Sequence, residues 1–127
     1  MTTRTDVIRL VQGTYYDGID AGDMARAVSA LHPDVDWSHT QVWSHHGFER
    51  GEASGCRGRQ AVFDLLSARV TELAQAQITH RIEDMIFADG RGAFLGYVEG
   101  PGGARKPFMV WFELTGGLIG RYTLRPI

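Results

Sequence analysis

Leu31–Thr40, LHPDVDWSHT, is the stretch whose reading decides how this chain folds. Pro33 disfavours helix at His32 and cannot continue a helix's hydrogen bonding, so the chain leaves a helical path here. A strand follows. With period-two alternation Val35, Trp37 and His39 point to one face, and Asp36, Ser38 and Thr40 to the other. An imidazole then shares a wall with an indole, which is how a pocket is lined. His39 is therefore the leading candidate for a catalytic base.

Upstream of this stretch the spacing is helical. Thr5 can cap a helix in which Val7, Val11, Tyr15 and Ile19 recur every four residues, with Leu10 and Gly18 at the i+3 places. Ala21-Gly22 supplies a glycine stop, and Asp23 caps a second helix with Met24, Ala27, Val28 and Leu31 on its buried side. Downstream, residues 41–58 begin with strand-like side chains and turn into a run of Gly, Ser and charge, read as a loop over the mouth of the pocket. Residues 59–76 return to helical spacing, with Val62, Leu66, Val70 and Leu73 as the stripe and Phe63 and Leu65 beside it.

The remainder predicts an antiparallel meander. Strands over 78–87, 93–99, 106–115 and 118–124 are separated by ADGRG, GPGGA and GG turns. In the third of them Phe108, Val110, Phe112 and Leu114 alternate with Met109, Trp111, Glu113 and Thr115, which leaves one face wholly apolar. The neighbours repeat the division: Phe94, Gly96 and Val98 oppose Leu95, Tyr97 and Glu99, and Gly120, Tyr122 and Leu124 oppose Arg121 and Thr123. In the first, His80 and Asp84 share the even-numbered face with Ile78, Ile82 and Ile86. Three helices must cover the apolar face, so the fold class is α+β.

A chain of 127 residues with 43% apolar side chains builds one core, so residues 1–127 are read as a single domain. A net charge of −2 with mixed signs favours neither nucleic acid nor an anionic membrane as partner. No stretch approaches the roughly 20 apolar residues of a membrane span, and the first residues lack an apolar signal segment, so a cytoplasmic location is expected. The single cysteine, Cys56, is read as an incidental thiol. His45 and His46 join His39 in a histidine-rich region, but their spacing matches no closed zinc pattern and no metal is expected. GRGAFLG and GPGGA read as hairpin turns, not as phosphate loops, and no cofactor is expected.

Taken together, helix, AGD turn, short helix, HPDVDW, glycine loop, a GRQAVFDLL-type helix and a glycine-punctuated meander resemble the nuclear transport factor 2-like superfamily. The resemblance spans nearly the whole chain and rests on the order of elements, not on one motif. Within the superfamily it points to the SnoaL-like polyketide cyclases, ketosteroid isomerases, limonene epoxide hydrolases and scytalone dehydratase. It implies a cone-shaped, curved antiparallel sheet wrapped around the three helices and enclosing an apolar pocket, usually in a homodimer. By the same resemblance, Tyr15 is similar in position to the tyrosine that hydrogen-bonds a developing oxyanion in ketosteroid isomerases, and His39 falls where those enzymes place their base. Their second oxyanion donor, a protonated Asp, would lie near Val110, where this chain has no acid. That departure argues against steroid isomerisation itself.

Asp84 completes the set of catalytic candidates. The pocket lining is expected to come from Trp37 and Trp43, from Phe63 and Leu66 of the third helix, and from His80, Val98, Val110, Phe112 and Tyr122 of the strands. Tyr97, Glu99, Trp111, Glu113, Arg121 and Thr123 give the outer sheet face aromatics with both charge signs, the composition of a homodimer interface. Three readings of function stay open at this point. The first is an enzyme of cyclase, isomerase or lyase type acting by general acid/base catalysis on a hydrophobic, oxygenated small molecule; the second is a non-catalytic binder with the same pocket; the third is a domain whose sheet face is its working surface. Epoxide hydrolase-like chemistry would want an Asp-Arg-Asp set, which the sequence does not assign.

Overall fold

The computed structural model describes residues 1–43, 50–71, 74 and 77–127. Helix α1 starts at Arg4, earlier than a Thr5 cap would place it. Thr3 Oγ1 accepts the Asp6 N–H at 3.1 Å and the Asp6 carboxylate accepts the Thr3 N–H at 2.9 Å. This reciprocal box wants a carboxylate or amide three residues beyond the cap, and Thr5 would find Ile8 there. α1 continues through Arg4–Ile8, Arg9–Tyr16 and Asp17–Asp20, the middle segment wound wide with i→i+5 bonding. Its buried stripe is Val7, Val11, Tyr15 and Ile19. On a helix of 3.6 residues per turn a strict four-residue repeat drifts about 40° with each repeat, and the wider winding takes up that drift.

Gly22, at φ +74°, ends the helix, and Asp23 accepts the Arg26 N–H to cap α2, Met24–Val28. Leu31 does not belong to α2. It opens strand β1, Leu31–Thr40, so the whole stretch that signals the change of structure is itself strand. Pro33 sits where the pairing of β1 is interrupted, between Leu31 and Asp36, the position in a sheet that tolerates a residue with no N–H.

Part of the expected loop is a strand too. β2, Ala53–Arg57, pairs antiparallel with β1, with Cys56 opposite Trp37 and Ser54 opposite His39. Its sequence carries little apolar alternation because it is an edge strand. The reading of 44–49 as a loop, with His45 and His46, lies outside the described residues, as does Leu73. Helix α3, Arg59–Ala68, is interrupted at Arg69, which leaves helical geometry at φ −101° and ψ 0°, and helical winding resumes at Val70, Thr71 and Ala74.

Strands β3 (Thr79–Ala88), β4 (Arg91–Glu99), β5 (Arg105–Thr115) and β6 (Leu118–Pro126) form the meander. The sheet runs β2-β1-β6-β5-β4-β3, curved and not closed, and every neighbouring pair is antiparallel except β1 and β6. With three helices on the sheet, this is the α+β cone read from the sequence. The expected faces of β4, β5 and β6 hold, with Phe94, Val98, Phe108, Val110, Phe112, Tyr122 and Leu124 all buried. On β3 the even-numbered face holds only to Ile82. The register shifts between Ile82 and Asp84, so Met85 turns inward at 3% exposure while Asp84 and Ile86 face out, the latter at 72%. One inserted residue moves every later side chain to the opposite face. Among the described residues no helix is long and apolar enough to cross a membrane.

The hairpin of α1 and α2 closes on Gly18. A Cβ there would lie 2.8 Å from the Ala27 nitrogen and 2.9 Å from its Cα, against backbone that cannot swing aside. Helix propensity alone makes Gly→Ala stabilising by about 1 kcal/mol. Here the overlap wins: Gly18→Ala is expected to destabilise the fold by about 1–3 kcal/mol, read from the urea midpoint. A midpoint that rises would show that the hairpin opens freely.

Candidate functional site

Between α1, α3 and the concave side of the sheet lies a cavity of about 50 Å³. Eight of the sequence-predicted residues meet there: Tyr15, Trp37, His39, Trp43, Leu66, His80, Val98 and Tyr122 all line it. The structure does not bring the others in. Asp84 is exposed on the outer side of β3 because of the register shift before it, so it is not a residue of this site. Val110 and Phe112 are fully buried in the core behind the cavity, and Phe63 packs half-buried against that core.

β1 delivers Trp37 and His39 to one wall, as alternation requires. The His39 ring stacks on Trp37 at 5.5 Å with 6° between planes, and Tyr122 of the parallel neighbour β6 lies 6.1 Å from Trp37 at 9°. Both His39 and Tyr122 thus stack on Trp37, and the three rings form a stacked row along this wall. Trp37 Nε1 donates to the Tyr15 hydroxyl at 2.8 Å, and the Tyr16 and Tyr122 hydroxyls share a hydrogen bond of 2.7 Å. Burial pushes all three phenols up from the ordinary value of 10.0, Tyr15 despite the bond from Trp37 and Tyr16 despite its bond with Tyr122. They stay protonated, and a phenol that accepts one bond retains a proton to donate.

The group that sequence reasoning missed is Asp20. Its Oδ1 lies 2.7 Å from His80 Nδ1, and its Oδ2 accepts the His80 backbone N–H at 2.9 Å, with both side chains 12% exposed. A carboxylate can only accept, so Nδ1 carries the hydrogen and Nε2 is left as the basic nitrogen. Tyr16 stacks on the imidazole at 5.2 Å and 10°. Gln12 holds the same strand from one turn earlier, donating to His80 O at 2.9 Å and accepting from Ile82 N at 2.8 Å. A signal existed: Gln12, Tyr16 and Asp20 form a second four-residue repeat beside the apolar one. It does not show in the apolar periodicity, because Gln12 and Asp20 are polar.

Three polar liners of the cavity itself, Tyr16, Gln41 and Arg69, were also missed. Gln41 donates to Trp43 O at 2.8 Å, and Arg69, at the end of α3, reaches Ser54 Oγ on β2 at 3.1 Å. Cys56 stands across from Trp37 with its thiol pushed up by burial against the opposing pull of Arg69, which leaves less thiolate for chemistry. Among the described residues no group of three or more His, Cys, Asp and Glu side chains could hold a metal ion.

The sequence profile of the SnoaL-like domain matches residues 13–122. A search of curated proteins found none that matches the chain. Among solved structures, a proposed polyketide cyclase from Sinorhizobium meliloti is similar with a TM-score of 0.66 at 15% identity, over 94% of each chain. A proposed ketosteroid isomerase from Kribbella flavida gives 0.64 at 15%, over 97% of this chain and 78% of that one. A de novo designed protein with a curved β-sheet gives 0.67 at 15%, over 98% and 88%. At such identities the likeness shows the fold alone.

The buried phenols set an alkaline limit on stability. Their folded values are raised, so the stability that depends on them is complete below the unfolded value near 10 and falls as pH climbs beyond it. In an absorbance titration at phenolate wavelengths, no more than one of the four tyrosines is expected to ionise before the fold is lost. Two or more ionising in the folded protein would show that the cavity wall admits water freely.

Proposed function

The chain belongs to the SnoaL-like domain family, and from that premise we propose that it is an enzyme of cyclase, isomerase or lyase type, moving a proton on a small oxygenated molecule with its own side chains. The observation that carries this reading is His80 at the cavity wall, held at Nδ1 by Asp20, which lines a neighbouring cavity. Family and fold do not suffice, since the same architecture is found in a designed protein. A carboxylate that fixes the tautomer of an imidazole beside protonated phenols is the equipment of proton abstraction next to a carbonyl.

In this reaction His80 Nε2 takes the proton of a C–H bond adjacent to a carbonyl. The bonding pair moves into a C=C bond, and the carbonyl oxygen gains the negative charge, which a phenol O–H stabilises by hydrogen bonding. The imidazolium then returns its proton to another carbon, completing an isomerisation, or to a departing hydroxyl, completing a dehydration. Asp20 keeps its charge throughout and offsets that of the imidazolium. His39, the base expected from the sequence, is assigned as the second proton carrier on the opposite wall. An epoxide hydrolase-like reading has less support, because among the described residues Arg69 lines the cavity and no Asp or Glu does.

The partner is proposed to be a second copy of the chain, joined through the outer sheet face. Leu95, Met109 and Trp111 are 43%, 47% and 42% exposed there. The strand register sets Leu95 against Met109, with Trp111 in the adjoining row. Arg121, 3.5 Å from Glu113, edges the patch with both signs of charge, as a self-complementary contact requires.

Both parts are testable. Incubated in D₂O with single-ring cyclic ketones and enones, the protein is expected to exchange the acidic C–H, followed by NMR. His80→Gln should lower the rate by about 10²–10⁴ and Asp20→Asn by about 10²-fold, through orientation of the imidazole. A rate unchanged in His80→Gln moves the base to His39; no exchange across the panel leaves a binding protein. For the dimer, Trp111→Glu should shift sedimentation toward the 14.1 kDa monomer, because it buries a charge without a partner.

A further inference from the structure

The space beside His80 is small, and a larger one lies directly behind it. The cavity of about 50 Å³ has room for about four water molecules, and the neighbouring one of about 120 Å³ for about ten. A single ring with its carbonyl fills the first, so any further part of a ligand has to extend elsewhere. Ile19 and Ile78 line both spaces, and the Asp20–His80 pair crosses between them, with His80 on the inner space and Asp20 on the outer one. The partition is one side chain thick.

Different elements bound the outer space. Ala21 and Gly22, in the turn that ends α1, stand on one side of it, and Val70 and Ala74, in the helical winding that resumes beyond Arg69, on the other. None of these four lines the inner cavity. Asp20 is the one charged group among the described lining residues, and no described lining side chain is free to donate a hydrogen bond. Both oxygens of its carboxylate take hydrogen bonds from His80, and it stands in the last turn of α1, where the helix dipole is negative. Carboxylate and helix end together oppose an anionic guest. What remains for a guest to touch is aliphatic, and hydrocarbon that leaves water for such a surface binds more tightly with every methylene.

We infer that the site takes a ring carrying an uncharged alkyl arm, the ring and its carbonyl in the inner cavity and the arm passing between Ile19 and Ile78 into the outer one. The inference rests on reading the inner cavity as the substrate site, and it adds the substrate class. Because His80 stands at the partition, the arm branches from the carbon whose proton His80 takes or from its neighbour.

The experiment titrates the protein with 2-methyl-, 2-propyl- and 2-pentylcyclopentanone, read at the indole N–H signal of Trp37 and, in D₂O, by exchange of the C–H bonds beside the carbonyl. Affinity is expected to rise by about two- to fourfold per methylene, and exchange to favour the arm-bearing carbon. Ala74→Trp and Val70→Phe fill the outer space from its far side. Each should hold the whole series within about threefold while leaving the affinity and exchange of the methyl ketone unchanged. Ala74 is exposed, so its variant serves if Val70→Phe does not fold. A carboxylate at the end of the pentyl arm should weaken binding by at least about tenfold. No saturable binding of the pentyl ketone, affinity that is flat along the series, a gain unchanged in Ala74→Trp and Val70→Phe, or a terminal carboxylate tolerated without loss would each overturn the inference. Exchange of the methyl ketone without any chain-length gain removes the arm and leaves the proton-transfer reading standing. A chain-length gain that both variants abolish, with no exchange in any member, upholds the arm site and removes the catalytic reading instead.

Discussion

A sheet that curves without closing has two raw edges, and the backbone groups along β3 must be satisfied by something other than a strand. Helix α1 does this with side chains. Arg4 Nε donates to Met85 O at 2.9 Å, Gln12 serves His80 O and Ile82 N, and Asp20 accepts from His80 N. These three residues are spaced eight apart and run antiparallel to the strand, so the helix is sewn to the edge along nearly its whole length. Its rotation about its own axis follows. With the polar row on β3, the apolar row of Val7, Val11, Tyr15 and Ile19 has to face the sheet's concave side.

The seam also explains why the candidate site is where it is. Asp20 uses one oxygen to satisfy the edge and the other to orient the imidazole of the same residue. Structure and chemistry share a single carboxylate. The cavity wall repeats the economy: the indole of Trp37 fills core volume and still directs its N–H at Tyr15, and Tyr16 pairs with Tyr122 across helix and sheet while covering His80. Each such polar pair removes a desolvation penalty that would otherwise fall on a buried hydroxyl or N–H. A pocket of this kind is rigid because its own groups are partners of one another, and preorganised donors are what a developing oxyanion needs.

Much of this was legible from residue order. Pro33 and the alternation of Val35, Trp37 and His39 announced β1, and the glycine turns with the alternation of Phe108, Val110 and Phe112 announced the meander and its inner face. What stayed hidden depends on information that a single strand does not hold. The shift between Ile82 and Asp84 is a matter of pairing with β4, and no apolar pattern within 79–88 distinguishes a bulged strand from a regular one; Asp84 was misplaced for that reason alone. β2 was hidden because an edge strand made of Ala, Ser, Gly, Cys and Arg is chosen by its neighbour's free hydrogen bonds. Asp20 was hidden because its partner His80 is 60 residues away and its role as the last residue of a helix masks its role as an orienting carboxylate.

One pairing has a bearing on how such a chain comes into being. β1 and β6 lie side by side in parallel, with Trp37 opposite Tyr122, although most of the polypeptide is strung between them. The helices and β1 emerge from the ribosome long before β6 does, and until then Trp37, Tyr15 and Tyr16 have no Tyr122 to close over them. The meander can zip locally, hairpin by hairpin, but the wall of the cavity is a contact of high sequence separation and forms late. A nascent chain halted anywhere before β6 therefore holds an aromatic surface open to water, and the residues most exposed to chaperone capture during synthesis are those that later line the cavity.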